Sequence, residues 1–275
     1  QNLKYWDRFI KKIAAELTDE IEYIITLNEP NVDASFSYLL NLHPKNEVKR
    51  SNLITPAVYK SVSFMKVYLN MARAHRSAYK ILKAHKPTLS VGLATQLANI
   101  QAKRPHNYLD QLTTQLMRYG WNWWFLNRVW RQLDFVGVNY YFSDYYTATG
   151  KRQNPKVPLN DMGWYMEPEG IYPLLLRVWA RYKKPIFITE SGVADSGDEH
   201  RQWWIQESIV SMEKALSEGV DLRGYFYWSL LDNFEWQDGW WPGFGLVSVD
   251  RARGMKRQIR PSAKWWADWL GKLEQ

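Results

Sequence analysis

The sequence predicts an α/β fold built from successive parallel βα units. Two observations carry that expectation. Short apolar, β-branched runs occur five times, and each is separated from the next by a stretch whose apolar residues recur at steps of three and four. Two of the runs, ITLNEP at 25–30 and IFITESG at 186–192, also finish on glutamates, Glu29 and Glu190. Runs of this kind read as strands buried on both faces, and function collects at the carboxyl ends of such strands.

Taken in order, a helix is expected over Lys4 to Leu17, then a strand over about 21–27. Between 57 and 83 the apolar residues Val58, Val62, Met65, Leu69, Ala72, Tyr79 and Leu82 mark one long amphipathic helix, with Pro56 suited to its first turn. LSVGLA at 89–94 is a second strand, Asn107 to Trp123 a helix, and DFVGVNYY at 134–141 a third strand. A helix from Glu169 to Tyr182 precedes the strand at 186–190, and another near Arg201 to Leu216 precedes RGYFYWSLL at 223–231. A last helix runs from Pro261 to about Leu273.

Five strands are too few for a closed βα barrel, which needs eight. In a flat sheet the first and fourth strands would stand ~14 Å apart, against the ~5–5.5 Å at which two carboxyl groups can act on one atom between them. Curvature across a barrel interior removes that conflict. The expectation is therefore a (β/α)8 TIM barrel of which only strands 4 to 8 are identifiable, with 1–275 forming one catalytic domain. Three N-terminal βα units would be supplied by the rest of the polypeptide or by a partner segment.

Composition excludes several classes. Cysteine is absent, which removes disulfide scaffolds, thiolate metal sites and cysteine nucleophiles, and suits a cytoplasmic protein. No run approaches the ~18 apolar residues of a membrane span, and Gln1 to Phe9 lacks the pattern of a signal peptide. The net charge of +8 is spread over pairs such as Lys49-Arg50, Lys183-Lys184 and Lys256-Arg257, without a nucleic-acid recognition motif. His43, His75, His85, His106 and His200 show no ligand spacing, so neither metal nor cofactor is expected. The 16 tryptophans and 17 tyrosines fit a carbohydrate partner, because flat aromatic faces stack on pyranose rings.

Cleaving an acetal at neutral pH requires a proton for the leaving oxygen and a nucleophile at the anomeric carbon, two tasks a pair of carboxyl groups can share. Glu29 and Glu190 fit those tasks. Asn28, beside Glu29, can bond a sugar hydroxyl, and Pro30 ends the strand and sends the chain into a loop over the pocket mouth.

The runs ITLNEP, DFVGVNYY, ITESG and WSLLDNFEW, in this order, resemble glycoside hydrolase family 1, the retaining β-glucosidases and β-galactosidases. The likeness spans nearly the whole chain. It implies the (β/α)8 barrel, with Glu29 as acid/base after the fourth strand and Glu190 as nucleophile after the seventh. It further implies that Asn28 binds the 2-hydroxyl, Tyr141 steadies the nucleophile, Trp228 lies under the sugar, and Glu235 and Trp236 bond its outer hydroxyls. A carboxylate at Glu235, where members acting on 6-phosphorylated sugars usually carry serine, implies unphosphorylated substrates. An intact Glu29 implies O-glycosides.

The chain departs from the family pattern at Ser191, usually asparagine, and at Gly243, usually basic. The glutamine of the first strand and the histidine-tryptophan of the third have no counterpart. The expected activity is hydrolysis of unphosphorylated β-O-glycosides, of the β-glucoside, β-galactoside or β-fucoside class, by double displacement through a glycosyl-enzyme intermediate. The alternative is a non-catalytic carbohydrate-binding protein derived from that family, and a basic nucleic-acid binder is the reading from a third class.

Overall fold

The computed structural model describes residues 2–40, 56–152, 154 and 156–273. His43 and the Lys49-Arg50 pair lie outside the described residues. In chain order the helices are α1 (Leu3–Leu17), α2 (Pro30–Ser35), α3 (Pro56–His85), α4 (Tyr108–Arg118), α5 (Leu126–Val129), α6 (Ile171–Tyr182), α7 (Arg201–Ser217) and α8 (Pro261–Leu273). The strands are β1 (Tyr23–Asn28), β2 (Ser90–Gln96), β3 (Asn99–Ala102), β4 (Phe135–Tyr140), β5 (Ser143–Thr147), β6 (Gly150–Arg152), β7 (Ile186–Ser191), β8 (Leu222–Tyr227), β9 (Val247–Asp250) and β10 (Lys256–Ile259).

The five strands expected from the sequence form one parallel sheet in the order β1-β2-β4-β7-β8. Its inner members behave as two-sided burial requires: β4 is buried throughout, and β2 from Val91 onward. Gly92 is needed there, since a Cβ would lie 2.6 Å from the Phe135 ring. The outer strand β1 departs from the expectation of burial on both faces. It alternates, with Tyr23 45% and Ile25 42% exposed, because it has a hydrogen-bonded neighbour on one side only. Five short strands were not anticipated. They form a β3-β5-β6 sheet and a β9-β10 hairpin. β10, Lys-Arg-Gln-Ile, is exposed along its whole length and so carries no apolar period to read.

The chain divides into two compact units. The first comprises residues 1–96, 119–138 and 184–187. Its core packs Ile10 and Ala14 of α1 on Ala78 and Leu82 of α3 and on Leu89 and Val91 at the start of β2. Trp6 joins them and donates its indole N–H to the Ala74 carbonyl at 2.9 Å. Each fully buried leucine or valine here contributes about 1.5–3 kcal/mol. Helix α3 stops at His85, two residues before Pro87. Below the sheet, Asp134 accepts from Lys83 Nζ and from the Val91 N–H, at 3.0 and 2.9 Å, joining α3 to the entry of β2.

The second unit comprises 97–118, 139–183 and 188–275. Its most constrained group is Arg201, 0% exposed at the start of α7. The guanidinium pairs with Asp198 at 2.9 Å and donates to Tyr227 Oη at 3.1 Å and to the carbonyls of Val193, Asp195 and Gly243. One buried cation thereby ties the segment after β7, the end of β8 and the last loop together. Burial without those acceptors would be prohibitive.

Candidate active site

At the carboxyl end of β1 the ladder to β2 shifts register between Ile25 and Asn28, an irregularity of the kind that re-aims the next side chain. Asn28 is exposed and Glu29 half-buried. Glu29 adopts φ 46° and ψ 52°, a left-handed conformation that a non-glycine residue takes only under constraint. The constraint is visible. Its N–H donates to the Ala94 carbonyl at 3.0 Å, and its own carbonyl accepts the Asp33 N–H at 3.0 Å. Pro30 does not lead into a loop, as the sequence suggested. It occupies the first turn of α2, where a fixed φ and a missing N–H favour a helix start.

A buried network supports this strand end. The Asn31 amide donates to the Gln96 carbonyl at 2.7 Å and accepts from Thr95 Oγ1 at 3.0 Å, while the Trp121 indole donates to Gln96 Oε1. Sequence reasoning missed these residues, although Asn31 stands two positions after Glu29.

At the end of β7 the Tyr141 hydroxyl donates to Glu190 Oε2 at 2.6 Å. Tyr141 follows β4 directly, is 8% exposed, and packs with Ala194, Phe244, Trp164 and Trp228. Its ring meets Trp164 and Phe244 edge-on at 5.8 and 6.1 Å, which holds the hydroxyl in place. One residue earlier, Thr189 Oγ1 donates to Asn139 Oδ1 at 2.6 Å. Gly192 lets the chain pass Trp228 closely: a Cβ there would lie 2.0 Å from the Trp228 carbonyl oxygen. The structure thus brings Tyr141, Glu190 and Trp228 together.

Both departures from the family pattern have local explanations. Ser191 is fully buried and its Oγ accepts the Trp204 indole N–H at 3.2 Å, so it serves packing behind the strand end. At Gly243 a Cβ would meet the Ser196 Cα at 2.9 Å and the Arg260 guanidinium at 3.1 Å, which leaves no room for a basic side chain. The Gly243 carbonyl instead accepts from the Asp195 N–H at 3.0 Å.

Glu235 is half-buried in a tight turn closed by its N–H to the Gly239 carbonyl at 2.6 Å. Burial, followed by the negative charges of Asp238 and Glu190, pushes its pKa up to about 7. The influence of Glu190 places both carboxyl groups in one electrostatic neighbourhood. Trp236 is 62% exposed. Trp240 and Trp241 on the same loop are exposed too, with the Arg251 guanidinium 4.1 Å from the Trp240 ring. Asp232 anchors the loop through Arg260, at 3.1 and 3.2 Å, and through the Gly245 N–H at 2.8 Å. Neither Asp232 nor Arg260 was singled out from the sequence. Among the described residues no group of three His, Asp or Glu is placed to hold a metal ion.

Parallel strands whose carboxyl ends carry Glu29 and Glu190, flanked by helices and an aromatic loop, are the hallmarks of an enzyme-type βα barrel fold. The chain belongs to glycosyl hydrolase family 1, whose sequence profile it matches over residues 1–133 and 126–273. It is 31% identical over 279 residues to a β-galactosidase of Sulfolobus acidocaldarius, covering 88% of this chain and 53% of that protein. A chloroplastic galactolipid galactosyltransferase of Arabidopsis thaliana is 28% identical over 265 residues, covering 95% and 42%. Among solved structures, a family 1 β-glucosidase from Thermotoga maritima superposes with a TM-score of 0.87 at 26% identity, covering 98% of this chain and 68% of that one. The same enzyme has been solved with deoxynojirimycin. The chain spans about half the length of the curated relatives it matches, 41% to 63% of the proteins compared.

Proposed function

We propose that the protein is a retaining β-glycosidase acting on unphosphorylated β-O-glycosides of the β-glucoside, β-galactoside or β-fucoside class. The observation that carries this reading is the 2.6 Å hydrogen bond from Tyr141 to Glu190 at the end of a parallel strand. A hydroxyl donor aimed at a carboxylate oxygen orients the group for attack at the anomeric carbon. Glu190 then displaces the aglycone at the anomeric carbon while Glu29 protonates the leaving oxygen. Water, deprotonated by Glu29, releases the sugar with its β configuration retained.

The remaining roles follow the same assignment. Asn28 bonds the 2-hydroxyl, Trp228 lies beneath the ring, and Glu235 and Trp236 take the outer hydroxyls. Three exposed tryptophans on the last loop support a sugar partner, since such surface is costly to leave in water. The relatives named β-galactosidase and β-glucosidase support the substrate class. The relative named galactolipid galactosyltransferase favours a second outcome of the same chemistry, transfer to a sugar hydroxyl in place of water.

The test uses aryl β-glycosides. Glu190→Gly should abolish release of the aryl alcohol, and added azide should restore it with an α-configured glycosyl azide as product. Undiminished hydrolysis in that variant removes Glu190 from the role. Glycoside binding by the wild-type protein with no release at all would identify a non-catalytic binder, and product analysis separates hydrolysis from transfer.

A further inference from the structure

A cavity of about 430 Å³ in the first unit is lined by Arg76, Asn127, Arg128, Trp130, Arg131 and Gln132. Three arginines line it, and among the described residues none of them has a carboxylate within 4.0 Å. Arg76 donates to the Arg128 carbonyl at 3.4 Å and Arg128 to the Trp124 carbonyl at 2.9 Å. A guanidinium carries five N–H donors, so most of these donors have no protein acceptor among the described residues.

The walls are held firmly. Trp124 stacks on Tyr68 at 4.5 Å and 7°, and the Arg128 guanidinium carbon lies 3.3 Å from the centre of the Trp124 ring, so that side chain is fixed in place. Leu126 and Val129 of α5 are fully buried beneath it. On the next turn the Gln132 carbonyl accepts from His75 Nε2 at 2.7 Å. A carbonyl only accepts, so Nε2 carries the proton, and burial keeps this ring neutral by lowering its pKa to about 4. His75 therefore fixes the turn without adding charge at neutral pH.

An oxyanion complements three cations set around one cavity and accepts from their remaining donors. The volume exceeds what a bare ion needs and falls in the range of small-molecule sites. Trp130, 40% exposed, supplies an apolar wall beside the cations. We propose that this cavity binds a small phosphate-bearing molecule, with the guanidiniums of Arg76, Arg128 and Arg131 around the phosphate and Trp130 against the attached organic group.

Calorimetric titration of the purified protein with inorganic phosphate, adenosine monophosphate and adenosine tests this at low and physiological salt. Saturable one-to-one binding of the monophosphate, tighter than phosphate, with none for adenosine, is the expected pattern. Phosphate binding as tight as that of the monophosphate would overturn the organic half of the proposal. Arg76→Gln and Arg131→Gln should each weaken binding about tenfold or more, and Arg131→Lys should recover only part, because an ammonium lacks the planar fork. Trp130→Ala should weaken the monophosphate and leave inorganic phosphate unchanged. Melting temperatures of the glutamine variants at or above wild type exclude a folding defect, and a phosphorus NMR titration reports the bound phosphate directly. Absence of saturable binding to wild type, or equal affinity in the folded Arg76→Gln and Arg131→Gln variants, would overturn the site.

Discussion

Replacing Glu235 with glutamine should change the pH dependence of stability in a defined direction. The carboxyl group titrates near 7 in the folded protein against an ordinary 4.5, because burial and the neighbouring charges of Asp238 and Glu190 disfavour its ionised form. Between those two pH values the folded state holds more proton than the unfolded one, so stability falls as pH rises through this window. Below it both states are protonated, and above it the penalty is complete. At 1.36 kcal/mol per pKa unit the full penalty is about 3 kcal/mol, and partial solvent exposure reduces the realistic figure to about 1–2 kcal/mol. Glutamine carries no charge at any pH and removes this slope. Urea denaturation of both proteins, followed by tryptophan fluorescence at pH 4, 6 and 8, measures the difference. The variant should gain about 1–2 kcal/mol on the wild type between the extremes. A stability difference constant with pH, or one that moves the other way, would refute the placement of Glu235 among desolvating and negative neighbours.

Tyr141→Phe removes a charge-assisted hydrogen bond worth about 1.5–3 kcal/mol and should lower kcat/KM on an aryl β-glycoside about 10- to 150-fold, as read from initial rates. Arg201→Met strands Asp198 and three carbonyls in the interior and should cost about 3–5 kcal/mol by chemical denaturation. A loss below about 1 kcal/mol would show that water reaches the pair. Gly192→Ala places a methyl group against the Trp228 carbonyl and should destabilise by about 1–3 kcal/mol or more, with the chemical shifts around Trp228 moving first.

The parts of this protein legible without coordinates are those where one physical signal repeats. Apolar β-branched runs alternating with helical periodicity gave all five strands of the parallel sheet, and the amphipathic stretch after Pro56 gave α3. Proline misled once: Pro30 opens α2 where the sequence suggested a loop, because a residue that ends a strand is equally suited to the first turn of a helix. The strands of the β3-β5-β6 sheet and the hairpin were invisible because short polar strands are defined by partners distant in sequence.

The candidate site divides along the same line. Glu29, Glu190, Tyr141 and Trp228 stand at the ends of runs whose pattern announces a strand, so their positions could be read directly from the sequence. Arg201, Asp232 and Arg260 could not, since a charged residue looks the same on a solvated surface and in a buried network. The same holds for the three arginines beside Trp130, which sequence order scatters between α3 and the turn after α5. The sequence by itself determined where strands begin and which carboxyl groups end them, because hydrophobic periodicity is a local property of the chain. Tertiary structure alone decided that Tyr141 reaches Glu190, that Glu235 titrates near neutrality and that Glu29 is held left-handed, because each depends on distances closed only by folding.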